Sequence, residues 1–205
     1  ALMLAFGNRP APARFSRIYL QGPPLMKIAV LAHIRHAIAE PFGGGMEAHC
    51  DMLCRGLRAA GHQVDLFAAD GSQDESLVPI CAAPYDEVLP WRVFRGTSEL
   101  AAYQRNAFER VLLAVGAGAY DVVHNNSLFP EIIEWCAHAG IPCVTSQHVP
   151  PFGAMFDTVL QMHGRPNIAT TVTSYDQKSL WTQRGCDALN VVPNGIDTGL
   201  WTPAG

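Results

Sequence analysis

The sequence has little charge, and its lysines and arginines are scattered. Charged residues make up 16% of the 205 residues, the formal net charge is -4, and no two Lys or Arg residues are adjacent. A nucleic-acid-binding surface needs a clustered basic patch, so the composition argues against nucleic acid as the main partner. No apolar run approaches the roughly 18 residues that a membrane span needs, so we expect no transmembrane segment.

The motifs of several enzyme classes are also missing. The six cysteines form no C-x-x-C pair, which removes the usual signal for a zinc or thioredoxin-like site. There is no H-E-x-x-H, D-x-D or G-x-S-x-G motif, so the sequence does not indicate metal-dependent or serine hydrolysis. We therefore predict no metal site and interpret the cysteines as small buried apolar side chains in a reducing cytoplasm.

Short apolar strands alternate with helical segments along most of the chain. The continuous apolar run at 27–33 is typical of a parallel strand covered on both faces, and further strands are predicted at 120–126 and 141–148. Gly61 and Gly140 stand where two of the intervening helices should end. This alternation predicts an α/β fold with a doubly wound, Rossmann-like parallel sheet.

The chain divides into two unequal parts. Residues 1–25 contain four prolines and little periodicity, so we expect a loose N-terminal extension. The folded domain should cover 26–205. Within it, the irregular stretch after the second strand is expected to hold short strands at 78–82 and 87–89.

Three of the predicted strands deliver a histidine to the same edge of the sheet. In a doubly wound sheet, ligands bind beyond the carboxyl ends of the strands. His33, His124 and His148 each end a strand, and Asn125 and Asn126 follow His124. A histidine there could donate to a phosphate or a sugar hydroxyl, or act as a base. The plainer alternative for each is a hydrogen-bonded polar residue without a ligand.

Gly43, Gly44 and Gly45 directly precede the first predicted helix. Glycines allow a ligand to approach the backbone closely, and a helix N-terminus favours an anion by about 0.3–1 kcal/mol per charge. This pattern favours a phosphate-binding loop over a flexible loop with no ligand.

The same stretch also satisfies a dinucleotide-binding pattern. Residues 43–48 read G-x-G-x-x-A, and Asp65 lies 20 residues beyond Gly45. That fingerprint should follow its strand at once, but about ten residues separate Ala32 from Gly43, and Asp65 falls inside its predicted strand. An NAD-dependent Rossmann enzyme therefore stays a weaker alternative.

Residues 26–203 resemble the N-terminal domain of family-4 glycosyltransferases, which have the GT-B fold. The most specific part is the junction "VVPNGID" followed by "WTP". The other parts are "MKIAVLAH" with a GGxE-like loop, "RGLRAAGHQVDLFAA", "YDVVHNNS" and "VTSQHVPP".

The stretch "EPFGGGMEAH" over 40–49 also resembles an E-P-F-G motif that this family carries in its C-terminal domain. There it opens E-x7-E, whereas Glu40 and Glu47 are one residue too close, and the stretch lies far before the junction. We therefore interpret it as the N-terminal glycine loop. The C-terminal, donor-nucleotide domain of the fold would begin near Gly205 and is expected to be absent.

The resemblance implies a retaining transfer of a sugar from a nucleotide-sugar donor to an acceptor, with neither a metal nor a cofactor. Gly43, Gly44 and Gly45 would face the donor phosphates, and His124 would be the catalytic residue at the reaction centre. The acceptor pocket and the interdomain cleft would include His33, Glu47, Asn125, Asn126, His148, Asn194 and Gly195. One departure is that Asn126 replaces the second histidine of the family's H-x-H strand.

We expect the chain to fold alone but not to transfer sugar, because the donor-nucleotide domain is its missing partner. The alternative is a stand-alone module that binds an acceptor or a partner. The expected location is cytoplasmic, with peripheral contact to a membrane left open, and the sequence identifies neither the donor sugar nor the acceptor.

Overall fold

The computed structural model describes residues 24–187 and 189–196. Seven strands form one sheet, and every neighbouring pair is parallel. They are β1 (Lys27–Leu31), β2 (Gln63–Ala69), β3 (Leu77–Cys81), β4 (Val122–Asn125), β5 (Cys143–Gln147), β6 (Ile168–Val172) and β7 (Asn190–Val191). Their order is β3-β2-β1-β4-β5-β6-β7. The predicted doubly wound parallel sheet is thus confirmed.

Seven helices connect and cover these strands. They are α1 (Gly45–Ala59), α2 (Tyr85–Val88), α3 (Trp91–Phe94), α4 (Ser98–Ala117), α5 (Glu131–Ala139), α6 (Gly153–Met162) and α7 (Tyr175–Thr182). None of the helices in the described ranges is both long and apolar enough to cross a membrane.

Strand β1 lies at the centre of two apolar cores. Ile28 and Val30 face a core shared with α1, whereas Ala29 and Leu31 face a core shared with α4. All four are fully buried. This is why the strand is a continuous apolar run rather than an alternating one.

Two predicted glycine caps have the expected geometry. Gly61 has φ +93° after α1, and the N–H of His62 reaches the carbonyl of Leu57, which completes a Schellman motif. Gly140 has φ +71° after α5. These left-handed residues end the helices and turn the chain back toward the sheet.

The stretch between β2 and α4 is only partly as predicted. The strand expected at 78–82 is β3, an edge strand that tolerates Pro79 in its middle. The prediction of a strand at 87–89 is wrong. Residues 87 and 88 end the short helix α2, which begins after Pro84 and buries Tyr85. Of the expected N-terminal extension, residues 1–23 lie outside the described residues.

The strand order reverses between β1 and β4. Chains leaving these two strands therefore turn to opposite sides and leave a crevice at the carboxyl edge, the place where such sheets bind ligands. The glycine loop follows β1, and His124 lies on β4, so both stand at this crevice.

Candidate functional site

Gly43, Gly44 and Gly45, called the glycine loop below, are in different environments, and Gly45 is already the first residue of α1. A Cβ atom added to Gly43 would lie 2.6 Å from Cγ of His36, so the bare backbone packs against that ring. A Cβ on Gly44 would lie 3.1 Å from Oε2 of Glu47, whereas one on Gly45 would meet nothing within 4 Å. Gly43 is therefore required by packing, and the space beside Gly45 is open.

Glu47, in the first turn of α1, is a buried carboxylate without a hydrogen bond. Its side chain is 4% exposed, and no hydrogen bond or ion pair links it to the described residues. A buried polar group without a partner is costly. An unpaired acceptor directly below the glycine loop is thus available to a ligand.

His124 is a neutral, buried imidazole on β4. Its Nε2 lies 2.9 Å from Oγ of Ser146, which lies 3.1 Å from Oγ1 of Thr171. Its Nδ1 is buried and has no partner. Burial, followed by the neighbouring His49 and His148, lowers the pKa of His124 to about 3. At physiological pH it therefore carries no charge and offers one unpaired ring nitrogen.

Two further histidines adjoin His124, and the three together are called the histidine cluster below. His148 lies one residue beyond β5 and donates from Nε2 to Oδ1 of Asn126 over 3.2 Å. Its ring centroid is 4.4 Å from that of His49, which projects from α1. Burial and then His49 lower the pKa of His148 to about 4, and burial also lowers that of His49.

His49 is the residue that sequence reasoning missed. It does not end a predicted strand, yet its buried Nε2 has no hydrogen-bond partner. The available signal was helical spacing, since His49 lies four residues after Gly45 and so one turn below the glycine loop. Glu47, His49 and His124 thus all present unpaired polar groups near the start of α1.

His33 is not part of the histidine cluster. Its Nε2 lies 3.2 Å from the hydroxyl of Tyr85, and the two rings meet edge to face. Burial, then Arg35 and His36, lower the pKa of His33 to about 4. It stands on the same sheet edge as predicted, but it contacts the segment after β3.

The two asparagines after His124 have different roles. Oδ1 of Asn125 accepts from both the N–H and the hydroxyl of Ser127, at 3.0 and 2.5 Å, and the residue is fully buried. Asn125 therefore shapes the turn that follows β4. Asn126 instead orients His148, as described above.

Asn194 and Gly195 are exposed beyond β7, which is three strands from β4. The structure therefore does not bring them together with the histidine cluster. Gln147, at the end of β5, is also buried and unpartnered, but it lies on the opposite face of the strand from Ser146. No group of three possible ligands that could hold a metal ion occurs in 24–187 or 189–196.

The family model of Glycosyltransferase Family 4 matches residues 43–200, well over half of the chain. The chain belongs to this family. The match begins at Gly43, the first residue of the glycine loop, and covers the whole histidine cluster. The family assignment confirms the resemblance drawn from the sequence.

Comparisons with individual proteins add little to the family match. No curated protein matches the chain. Among solved structures, the glycosyltransferase SsfS6 of Streptomyces sp. SF2575 is similar, with 18% identity and a TM-score of 0.43. The matched region covers 72% of this family-4 chain but only 50% of SsfS6. The chain therefore spans about half the length of that structure.

Proposed function

We propose that this chain is the acceptor-side half of a retaining glycosyltransferase that uses a nucleotide-sugar donor. The observation that carries the proposal is the group of unpaired buried polar atoms beside the glycine loop. Nε2 of His49 and Nδ1 of His124 are buried without a hydrogen-bond partner, and no described residue hydrogen-bonds the Glu47 carboxylate. Ligand hydroxyls and phosphate oxygens are suitable partners for them.

In this proposal the glycine loop receives the donor diphosphate. The α1 helix has no side-chain cap, so the backbone N–H groups of its first turn are open to an anion. The open space beside Gly45 would admit a phosphate oxygen close to the backbone. Gly44 would border the same site, and Gly43 would hold the glycine loop in place by packing on His36.

Retention defines the geometry of the transfer. The bond from the anomeric carbon to the diphosphate oxygen breaks, and the acceptor oxygen bonds to that carbon on the same face. The acceptor proton passes to the departing diphosphate. In this scheme no metal is needed, because the helix N-terminus and the backbone N–H groups face the developing charge.

The catalytic role proposed for His124 is that of a neutral hydrogen-bonding group. Its lowered pKa makes it a poor base and keeps it uncharged at neutral pH. Its Nδ1, the unpaired nitrogen, would bind a hydroxyl of the reacting sugar. His148, Asn126 and Glu47 would bind further hydroxyls of the donor or the acceptor, and His33 would border the acceptor.

We further propose that transfer requires a second, nucleotide-binding domain and that the chain alone does not transfer sugar. Asn194 and Gly195 would line the cleft between the two domains. The NAD alternative is disfavoured, because the Asp65 carboxylate accepts from the Tyr120 hydroxyl at 2.6 Å and pairs with Lys27, four positions before the end of β2. Six buried cysteine thiols support a reducing, cytoplasmic setting.

The test joins this chain to the donor-nucleotide domain of a family-4 enzyme and measures sugar release from UDP- and GDP-sugars. Gly45→Val should abolish release, because its side chain fills the space proposed for the phosphate. Gly56→Val is the matched control, since Gly56 lies in the same helix and also has open space at its Cβ. The chain without the second domain should be inactive.

The role of His124 is tested in the same assay by His124→Gln. The glutamine amide can still reach Oγ of Ser146, but glutamine has no counterpart of the unpaired Nδ1. We expect a loss of roughly 10²–10³ in kcat, the range for removing one hydrogen bond that strengthens in the transition state. Release that tolerates both Gly45→Val and His124→Gln would contradict the proposed site. Release by the chain alone would contradict the proposed need for a second domain.

A further inference from the structure

Asp86, on the short helix α2, links the loop after β1 to the segment after β3, which contacts His33, the residue proposed to border the acceptor. Its Oδ1 accepts from the backbone N–H of Trp91 at 2.6 Å, at the start of α3. Its Oδ2 accepts from Nε and Nη2 of Arg35 at 3.4 and 3.3 Å and lies 4.0 Å from Nε2 of His36. One carboxylate thus holds the acceptor-side segment after β3 and the loop after β1.

The backbone reinforces this link. The N–H of Tyr85 donates to the carbonyl of Ile34 at 3.0 Å, and that of Asp86 donates to the carbonyl of Arg35 at 3.3 Å. These bonds position α2 beneath the loop but do not reach side chains. The carboxylate holds the side chain of Arg35 by hydrogen bonds, and it contacts the ring of His36 at 4.0 Å without a hydrogen bond.

His36 in turn supports the glycine loop. Its ring packs so closely on Gly43 that an added Cβ would lie 2.6 to 2.9 Å from three of its atoms. A Cβ on Gly45, by contrast, would have no neighbour within 4 Å. The position of the loop therefore depends on its contact with His36 through Gly43.

We propose that Asp86 is a positioning residue that sets the glycine loop through His36 and couples it to the segment 85–95. This inference rests on the proposed function for its catalytic consequence, though not for the structural link itself. Asp86 touches neither substrate in the scheme. It fixes the position of the glycine loop relative to the donor diphosphate. A shift of α2 or α3 on acceptor binding is transmitted to the same loop.

The structural link is tested on the chain itself with ¹⁵N-glycine-labelled protein. Asp86→Asn keeps an acceptor for the N–H of Trp91 but removes the charge that pairs with Arg35 and faces His36 at 4.0 Å. The amide resonances of the glycine loop should move, and His36→Gln should move the same resonances. Asp70→Asn is the control, because that exposed carboxylate accepts only from the N–H of Gly71.

The catalytic consequence is tested in the two-domain enzyme. Asp86→Asn should raise KM for the nucleotide-sugar roughly 2- to 30-fold, the range for residues that tune a site from a distance, while kcat changes less. Arg35→Gln should reproduce part of the effect, and Asp70→Asn none.

The outcomes separate the two proposals. Glycine-loop resonances that stay in place in Asp86→Asn overturn the inference, whatever the enzyme does. Resonances that move while KM does not change overturn its catalytic part. A wild-type enzyme without turnover, in which the resonances still move with Asp86, refutes the proposed function and leaves the structural link standing.

Discussion

Three histidines with lowered pKa values, the buried His124 and the half-buried His33 and His148, predict that the chain loses stability in mild acid. The pKa of His124 lies at about 3 and those of His33 and His148 at about 4, against 6.5 for an unperturbed imidazole. Between pH 6.5 and 4 each unfolded imidazole binds a proton that its folded counterpart does not bind. The free energy of unfolding must therefore fall as the pH falls through this window, and it is fully restored above 6.5.

The magnitude follows from the width of the window. Each unit of pH below 6.5 costs about 1.36 kcal/mol per proton, so lowering the pH from about 7.5 to 5 costs about 2 kcal/mol per histidine. The three together amount to about 4–6 kcal/mol, comparable with the whole stability of many domains of this size. Ordinary carboxylates titrate below this range, so the change reports the imidazoles.

The assay is urea unfolding followed by circular dichroism at several pH values between 7.5 and 5, extrapolated to water. His124→Gln should shrink the loss by about 2 kcal/mol, since one titrating group is removed. His163→Gln, at the exposed end of α6, controls for the loss of a histidine as such. A free energy of unfolding that stays constant over this range would refute the reasoning.

Two further predictions concern packing. Gly43→Ala should destabilise the chain by about 1–3 kcal/mol through its clash with His36. Gly45→Ala should leave the thermal unfolding temperature unchanged or raise it slightly. Equal effects of the two substitutions would contradict the environments assigned to these glycines. The six cysteines are all buried, so a thiol reagent should label none of them in the native chain and all six in guanidinium, and rapid labelling of the native chain would show that the core is open.

The sequence predicted best those features that depend on local chemistry. The run at 27–33 indicated a strand covered on both faces, and β1 lies between two apolar cores. Gly61 and Gly140 indicated helix ends, and both are left-handed. In each case a single rule of backbone or burial acts on adjacent residues, so no knowledge of distant contacts is needed.

Helix α2 illustrates the opposite case. Residues 87–89 are apolar enough to suggest a strand, but the helix forms because Tyr85 is buried against the core and Asp86 bonds to Trp91 and Arg35. Arg35 lies 51 residues from Asp86 in the chain, and Trp91 lies across a turn from it. His49 was missed for a similar reason, because its contact with His148 is made only when α1 packs against the sheet.

The structure also separates candidate residues that the sequence predicted to lie in one site. From β1 to β7 the sheet crosses four strand spacings, which is about 19 Å at roughly 4.8 Å each. A donor diphosphate at the glycine loop therefore cannot also touch Asn194 and Gly195 beyond β7. The chemistry we propose is concentrated around Glu47 and the histidine cluster, and the residues after β7 can take part only through a long acceptor or through a second domain that closes over the sheet edge.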